Sequence, residues 1–389
     1  MAKETIYVGV NDHEVDYFEG IYVVPNGVSY NSYVIRGEKT AVMDAVDARF
    51  SAEWLDNVKK ALGGKKPDYL VILHMEPDHS GSILEFVREY PSVTLVGNQK
   101  TFVMLGEYFD ALGADSHTQK LTVKDGESLD LGGRVLKFVF APLVHWPEVM
   151  LAYESEEKAL YSADAFGKFG ALDCDEPWDD EARRYYIGIV GKYGVQVTAA
   201  LKKLSGLDIK IIRPLHGPVL TDTIPHCIDL YTKWANYIPE KPGVMIAYTS
   251  IYGHTKAAAE LIKSELDKRG VKNEMFDLVR SDRADCVARA FAYGTIVLAT
   301  TTYNGEAFPA MREFVDHLVE RGYRDRKVAI IENGTWSPHA SVAINARLEK
   351  CKNISYVGEP VKIHAALNNE SRQKISELAD MIKLLDTLG

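Results

Sequence analysis

The sequence predicts an α/β protein of two domains, a layered N-terminal domain and a C-terminal domain built on a doubly wound parallel sheet. Three features carry that expectation. Strand-like and helical runs alternate around a polar turn at residues 68–81, a Pro- and Gly-containing break falls at 238–243, and a new strand, turn and helix begin at Val244. The expected domains are 1–242 and 243–389.

A chain of 389 residues is long enough for two or three domains with their own cores. Hydrophobic residues make up 46% and charged residues 26%, which excludes a disordered chain. The formal net charge of -10, with no dense Lys/Arg tract, argues against nucleic acid or anionic lipid as a partner. No apolar run approaches the ~20 residues of a spanning helix. Met1 to Thr5 precede only a short strand-like run, so no targeting sequence is expected. Cys174, Cys227, Cys286 and Cys351 are scattered without a Cys-x-x-Cys pair, as expected of reduced thiols in a cytoplasm. Any iron–thiolate electron carrier must then be a separate protein.

In the first domain, strand-like runs at 21–24, 30–35 and 40–43 are separated by Pro25-Asn26-Gly27 and by residues 36–39, and they read as hairpins. A helix follows over 51–62, with Ser51 as its N-cap and Gly63-Gly64 as its stop. The next strand runs straight into His74, Glu76, Asp78 and His79. Alternation along an extended segment sends His74, Glu76 and Asp78 to one side, while Pro77 blocks helix at Glu76 and lets the chain turn at Asp78 and His79. Four metal-ligating side chains in one turn outweigh the alternative of a polar turn after a buried strand. A helix over 83–90 and a strand over 92–96 continue the alternation.

The same grammar then recurs. Strands at 135–141, 158–162 and 208–212 are followed by His145, Asp164 and His216, on loops able to converge on one rim. Singly, each of these is more often a hydrogen-bonded loop residue; together they form a ligand pattern.

This set, His-x-Glu-x-Asp-His with His145, Asp164 and His216, resembles the metallo-β-lactamase-like domain of flavodiiron proteins, an αββα sandwich. Hydrolases of the wider superfamily have His-x-His-x-Asp-His and bind zinc. The carboxylate of Glu76 suits a redox-active iron pair better. The resemblance implies that His74, Glu76 and His145 bind one iron, that Asp78, His79 and His216 bind the other, and that Asp164 bridges them. In some members the residue matching His79 turns away from the metal. Tyr193 resembles a family tyrosine whose hydroxyl reaches the pocket above the irons, although an amphipathic-helix tyrosine at the surface is an equal reading. The connection over 170–180 is short for the family.

In the second domain, a strand over 244–249 leads through Ser250-Ile251-Tyr252-Gly253-His254-Thr255 into an amphipathic helix over 256–269. Hydroxyls and free N–H groups at a helix N-terminus make a phosphate site, and the turn resembles the FMN phosphate loop of flavodoxins. A simple helix cap is the alternative. Strands at 295–299 and 328–331 run into loops over 300–305 and 332–336, expected at the carboxyl edge of one parallel sheet, with Thr302, Tyr303, Asn304, Gly305, Asn333, Gly334, Thr335 and Trp336 as candidate FMN contacts. Each loop offers N–H groups and an aromatic to an isoalloxazine ring, although the last loop departs from the family's Gly-rich, aromatic pattern. A strand near 356–357 and a helix over 370–388 complete a flavodoxin-like unit.

The resemblance implies FMN and two non-haem irons per chain, with reduction of O2 to water, of NO to N2O, or both. It implies a separate electron donor of the rubredoxin, flavoprotein reductase or reduced deazaflavin kind, and a head-to-tail homodimer or a dimer of dimers. Trp146 and Trp336 are the expected aromatics at that dimer junction. The other readings are a metal-dependent hydrolase of the superfamily and a non-catalytic flavin electron carrier.

Overall fold

The computed structural model describes residues 4–114 and 116–388, so Met1 to Lys3, Asp115 and the terminal Gly389 lie outside the described residues. The chain divides into two compact units, Met1–Thr232 and Lys233–Gly389, with the division inside the helix Ile224–Ala235.

The first unit contains two large sheets. One runs in the order Glu4–Tyr7, Tyr33–Arg36, Thr40–Met43, Tyr69–Val71, Thr94–Gly97 and Gln119–Thr122, antiparallel over its first three strands and parallel thereafter. The other runs Ser128–Asp130, Val135–Phe140, Met150–Glu154, Ala159–Tyr161 and Ile211–Arg213, antiparallel except for its final parallel pair. The sheets face each other. Tyr33 of the first meets Tyr161 of the second edge to face at 5.6 Å, and buried Arg134 spans from Thr5 at 3.0 Å to Glu154 at 2.9 Å. Strands such as Thr40–Met43 are buried throughout, as a layer covered on both sides demands.

Local signals explain most boundaries. Gly63 ends the helix Ser51–Leu62 in the left-handed region (φ 58°), which glycine adopts without a Cβ penalty. The helix begins differently from expectation. A short turn, Ala48–Phe50, precedes it and is capped by Asp47, so Ser51 is its first residue and donates its hydroxyl to the Ala48 carbonyl instead. At the polar turn the strand stops at Val71, and Pro77 opens a four-residue helix, Pro77–Ser80. The fixed φ of proline suits a first helical position, so Pro77 starts a helix just beyond Glu76. Asp78 is thus placed by a helical turn and not by strand alternation.

The second unit is a parallel sheet in the order Asn273–Asp277, Lys241–Tyr248, Tyr293–Tyr303, Arg324–Asn333, Lys352–Tyr356, with Val361–Ile363 also pairing with Arg324–Asn333. Numbered by sequence this is 2-1-3-4-5, the flavodoxin-like doubly wound order, in which a ligand crevice is expected outside the carboxyl ends of the strands. The helices His254–Lys268 and Asn369–Leu388 cover one face through a core that includes Ile246, Ala258, Ile262, Val297, Ile331 and Ile375. The last two strands lie at 352–356 and 361–363, the first of them ending at Tyr356, where the sequence leads one to expect a final strand.

Candidate functional site

Seven buried or half-buried side chains converge in the first unit. His74 and Glu76 follow the strand Tyr69–Val71, and Asp78 and His79 lie on the Pro77–Ser80 helix. His145 lies between Val135–Phe140 and Met150–Glu154, Asp164 after Ala159–Tyr161, and His216 after Ile211–Arg213. They form two groups, His74/Glu76/His145/Asp164 and Asp78/His79/His216, whose donor atoms within each group lie within 4.8 Å of one another.

Asp164 joins the groups. Its Oδ2 lies 2.8 Å from His145 Nε2 and 3.3 Å from His74 Nε2, while its Oδ1 lies 3.3 Å from His79 Nε2 and 3.9 Å from His216 Nε2. Glu76 approaches His145 at 3.1 Å and His74 at 3.2 Å. Asp78 is 3.3 Å from both His79 and His216.

The outer nitrogens are fixed from behind. His74 Nδ1 is 2.8 Å from buried Glu148, and His216 Nδ1 is 2.8 Å from the Ser29 carbonyl. An Nδ1–H donated outward leaves Nε2 as the inward ligand atom, the usual second layer of a metal site. Inward, His79 Nε2 and His216 Nε2 stand 2.9 Å apart and cannot both carry protons. Among the described residues, both oxygens of Asp78 and Oδ1 of Asp164 are buried without a well-formed hydrogen bond, their nearest polar neighbours being the imidazole nitrogens 3.3 Å away. Orphaned carboxylate oxygens and facing imidazole nitrogens fit a pair of cations.

Charge compensation explains the titration of the metal-free set. Burial opposes ionisation of Asp164, yet His74, His145 and His79 hold its pKa well below the usual carboxylate range. Burial likewise opposes protonation of His145, but Asp164 and Glu76 push it up to about 9. His74 is also raised, against its burial, by Asp164 and Glu148. A cation held by these side chains would take the place of those protons.

The surrounding backbone is strained. Asp44, Leu143, Ala163 and Phe166 all have φ between 48° and 66°, a region unfavourable for residues with a Cβ. Asp44 Oδ1 accepts the N–H groups of Leu73 (2.7 Å) and His74 (3.3 Å), fixing the loop that presents His74. Burial raises its pKa to about 7.

In the second unit a cavity of about 880 Å³ lies at the carboxyl edge of the sheet. It is lined by Ser250, Ile251, Tyr252, His254, Thr255, Thr302, Tyr303, Asn304, Gly305, Asn333, Gly334, Thr335 and Trp336. Thr301, Ser337, His339 and Ala365 complete the wall, the last three lying outside the stretches expected from sequence. Gly253 makes the turn and not the wall, with φ 90° and its N–H donated to Ser250 Oγ at 3.1 Å. Thr255 Oγ1 accepts from Asn333 Nδ2 at 3.3 Å, which leaves its own hydrogen free for a ligand. Thr302 Oγ1 accepts the N–H groups of His339 and Ala340, so part of its role is to cap the helix Ala340–Leu348. Tyr252 and Trp336 stand on the rim, 88% and 90% exposed.

Comparison with known proteins places these two sites in a lineage. Residues 28–217 match the family described as "ODP family beta lactamase". The fold is shared with rubredoxin oxygen:oxidoreductase from Desulfovibrio gigas, with a TM-score of 0.91 at 23% identity over 99% of this chain and 97% of that one. It is shared too with the flavodiiron protein of Giardia intestinalis, with a TM-score of 0.89 at 24% identity over 99% and 95%. In sequence, the chain is 30% identical over 370 residues to the anaerobic nitric oxide reductase flavorubredoxin of Escherichia coli O1:K1, covering 90% of this chain and 75% of that protein. The chain belongs to the flavodiiron proteins.

Within this flavodiiron chain two tyrosines pack beside the ligands, Tyr30, whose ring lies 6.0 Å from His216 and 6.3 Å from His79, and, later in the chain, Tyr185. Its ring lies 5.4 Å from His216, and its buried hydroxyl finds no hydrogen-bond partner among the described residues. Burial and the charges of Asp164, Glu76 and Asp78 raise its pKa well above the ordinary tyrosine value. Tyr193 is half-buried eight positions on, with Lys192 over its ring at 5.1 Å. The helix Trp178–Tyr185 passes into a wider turn over Tyr186–Val190 and a tighter one over Gly191–Tyr193 before Gly194–Leu204 resumes. That irregular stretch resets the helical phase, which periodicity alone does not reveal.

A small ribbon, Tyr17–Phe18 with Tyr22–Val23, also reaches the site. Phe18 packs edge-on to His216 at 5.4 Å. Glu19 at its exposed tip turns its carboxyl toward Glu76, and burial of that carboxyl together with the Glu76 charge raises it to about 7. Trp146 packs edge-on to His74 at 5.4 Å.

Proposed function

We propose that this flavodiiron chain reduces O2 to water, NO to N2O, or both, at a non-haem diiron centre held by His74, Glu76, Asp78, His79, His145, Asp164 and His216, with electrons delivered by FMN bound in the second unit. The observation that carries the reading is Asp164, whose two oxygens face the two ligand groups separately. When bound, FMN stores two electrons and a ferrous pair two more, matching the four electrons that take O2 to two waters, whereas two NO need only two.

The chain's own residues do the remaining work. Glu148 and the Ser29 carbonyl aim His74 and His216 inward. Glu76 places a carboxylate where zinc hydrolases of the superfamily present imidazole, which favours iron. Both reactions consume protons, and the Tyr185 hydroxyl keeps its proton beside the ligand set. In the second unit the N-terminus of the helix His254–Lys268, with Ser250 and Thr255, supports the FMN phosphate, and the 302–305 and 333–336 loops support its ring. The boundary at 242/243, a homodimer or dimer of dimers, and a separate donor of the rubredoxin, flavoprotein reductase or deazaflavin kind belong to the same reading. A cytoplasmic location is supported by four unpaired cysteines, and among the described residues no helix is long and apolar enough to cross a membrane.

The test is metal and flavin analysis of purified protein, followed by stopped-flow oxidation of the fully reduced form by O2 and, separately, by NO. Two irons and one FMN per chain with rapid oxidation by at least one gas are expected. Zinc in place of iron, with neither gas consumed, overturns the reading.

A further inference from the structure

We propose that an apolar cavity behind the Asp164 loop is a binding and transit site for small apolar gas molecules, an inference that rests on the gas-reductase reading above. Its outer chamber, about 200 Å³, lies among Leu160 and Ile212 of the second sheet, Leu201 and Leu204 of the helix Gly194–Leu204, and Ile224 and Ile228 of the helix Ile224–Ala235. Half-buried Leu207 and Ile209 form its mouth, and the Ser205 side chain is the sole polar one on its wall. A second, much narrower space of about 10 Å³ continues inward and shares Phe166, Leu201 and Leu204 with the chamber. It ends against Val144 and Ala165, the chain neighbours of His145 and Asp164.

The lining chemistry selects the occupant. The inner space has no charged wall residue, and the hydroxyl of Tyr231 on its wall accepts the Phe166 N–H at 2.5 Å, leaving the ring as the exposed surface. Water needs two to four polar partners to occupy a site, and an apolar cavity of about 150 Å³ stays dry while taking up xenon or benzene. O2 and NO are apolar enough to favour such a space, and protein interiors normally close voids of this size. Phe166 stands between the two spaces, stacked on Tyr231 at 4.3 Å and held at φ 66° by the same loop that carries Asp164. Its placement makes it the gate.

The experiment has a structural and a kinetic arm, both on the iron- and FMN-loaded protein. Crystals pressurised with xenon are expected to show xenon in the outer chamber. Leu201→Trp and Ile228→Trp, which fill the chamber from its two helices, are expected to lower several-fold the second-order rate at which the reduced protein is oxidised by gas, while Leu201→Ala does not lower it. Iron content, FMN content and the rate of reduction by dithionite stay at wild-type values. Leu201→Phe serves where the larger ring prevents folding. Xenon absent from the chamber, or filled variants with full iron and FMN reacting at the wild-type rate, overturn the proposal. A wild-type protein loaded with both cofactors that reacts with neither gas is a different failure: it removes the functional reading, and this inference with it.

Discussion

Glu148 accepts the Nδ1–H of His74 at 2.8 Å, and the same Oε1 accepts the Met75 N–H at 2.8 Å, so one buried carboxylate fixes both the ring and the backbone of the first ligand. Outer partners of this kind are commonly worth about 10–100-fold in metal affinity. Glu148→Ala is expected to weaken iron retention by about that factor in chelator competition. Glu148→Gln keeps an acceptor oxygen and should lose less. FMN content should not change in either, since the flavin cavity is in the other unit; equal iron retention in all three proteins counts against the role.

Asp164→Ala removes the one carboxylate that faces both ligand groups. Loss of both irons with FMN retained is expected, read by metal analysis and by the flavin spectrum. Retention of both irons at full activity would show that the ligands are wrongly assigned.

In the flavin cavity, Ser250 Oγ holds the Gly253 turn and the Thr255 hydroxyl keeps a free hydrogen. The helix dipole contributes roughly 0.3–1 kcal/mol to an anion at its N-terminus, and direct hydrogen bonds add to it. Ser250→Ala with Thr255→Ala is therefore expected to raise the dissociation constant for FMN in fluorescence titration and leave iron untouched. Unchanged FMN affinity in the double variant argues against phosphate binding at this turn.

Much of this site is legible in the sequence because each ligand follows a strand-like run directly, and a sheet carries such loop residues to one rim. The strand-turn-helix at 244–269 is legible for the same reason, since apolar periodicity and hydroxyls at one turn depend only on near neighbours. What periodicity cannot show is a change of helical phase. Tyr193 draws attention as the tyrosine beside glycines, while Tyr185, at the end of the helix Trp178–Tyr185 and just before the irregular turns at 186–193, is the one whose ring meets His216. Glu148 and Glu19 are equally hidden, one at the end of the His145 loop and the other on a two-residue ribbon, because nothing local marks a carboxylate whose partners are 50 or more positions away. Ser51 misleads through an added turn, in which Asp47 supplies the capping oxygen.

The Tyr185 hydroxyl is buried facing Asp164, without a well-formed hydrogen bond among the described residues, so removing it costs little packing or bonding. Tyr185→Phe is expected to keep or slightly raise the melting temperature while slowing the gas reaction of the reduced protein. A Tyr185→Phe variant with the wild-type rate would assign the ring to packing alone.

Asp44 gives the structure a pH dependence of unusual sign. Its pKa is raised from the ordinary 3.8 to about 7 by burial, so the folded metal-free chain holds this proton more tightly than the unfolded chain does. Where the folded state binds more protons, stability falls as pH rises. This group therefore lowers stability progressively from about pH 4 to about pH 7, by an amount on the order of a few kcal/mol. The paired carboxylates Asp164 and Glu148, with lowered pKa values, act in the opposite sense, and their contribution is lost as pH falls. Asp44→Asn separates the two. Its amide oxygen can still accept the Leu73 and His74 N–H groups, but its amino group replaces Oδ2, which has no hydrogen-bond partner, at a cost of about 1–3 kcal/mol. In urea denaturation of the metal-free proteins, Asp44→Asn is expected to be the less stable at pH 5, with the gap closing or reversing by pH 8. A gap that stays constant across that range would mean that Asp44 does not carry its proton into the folded state.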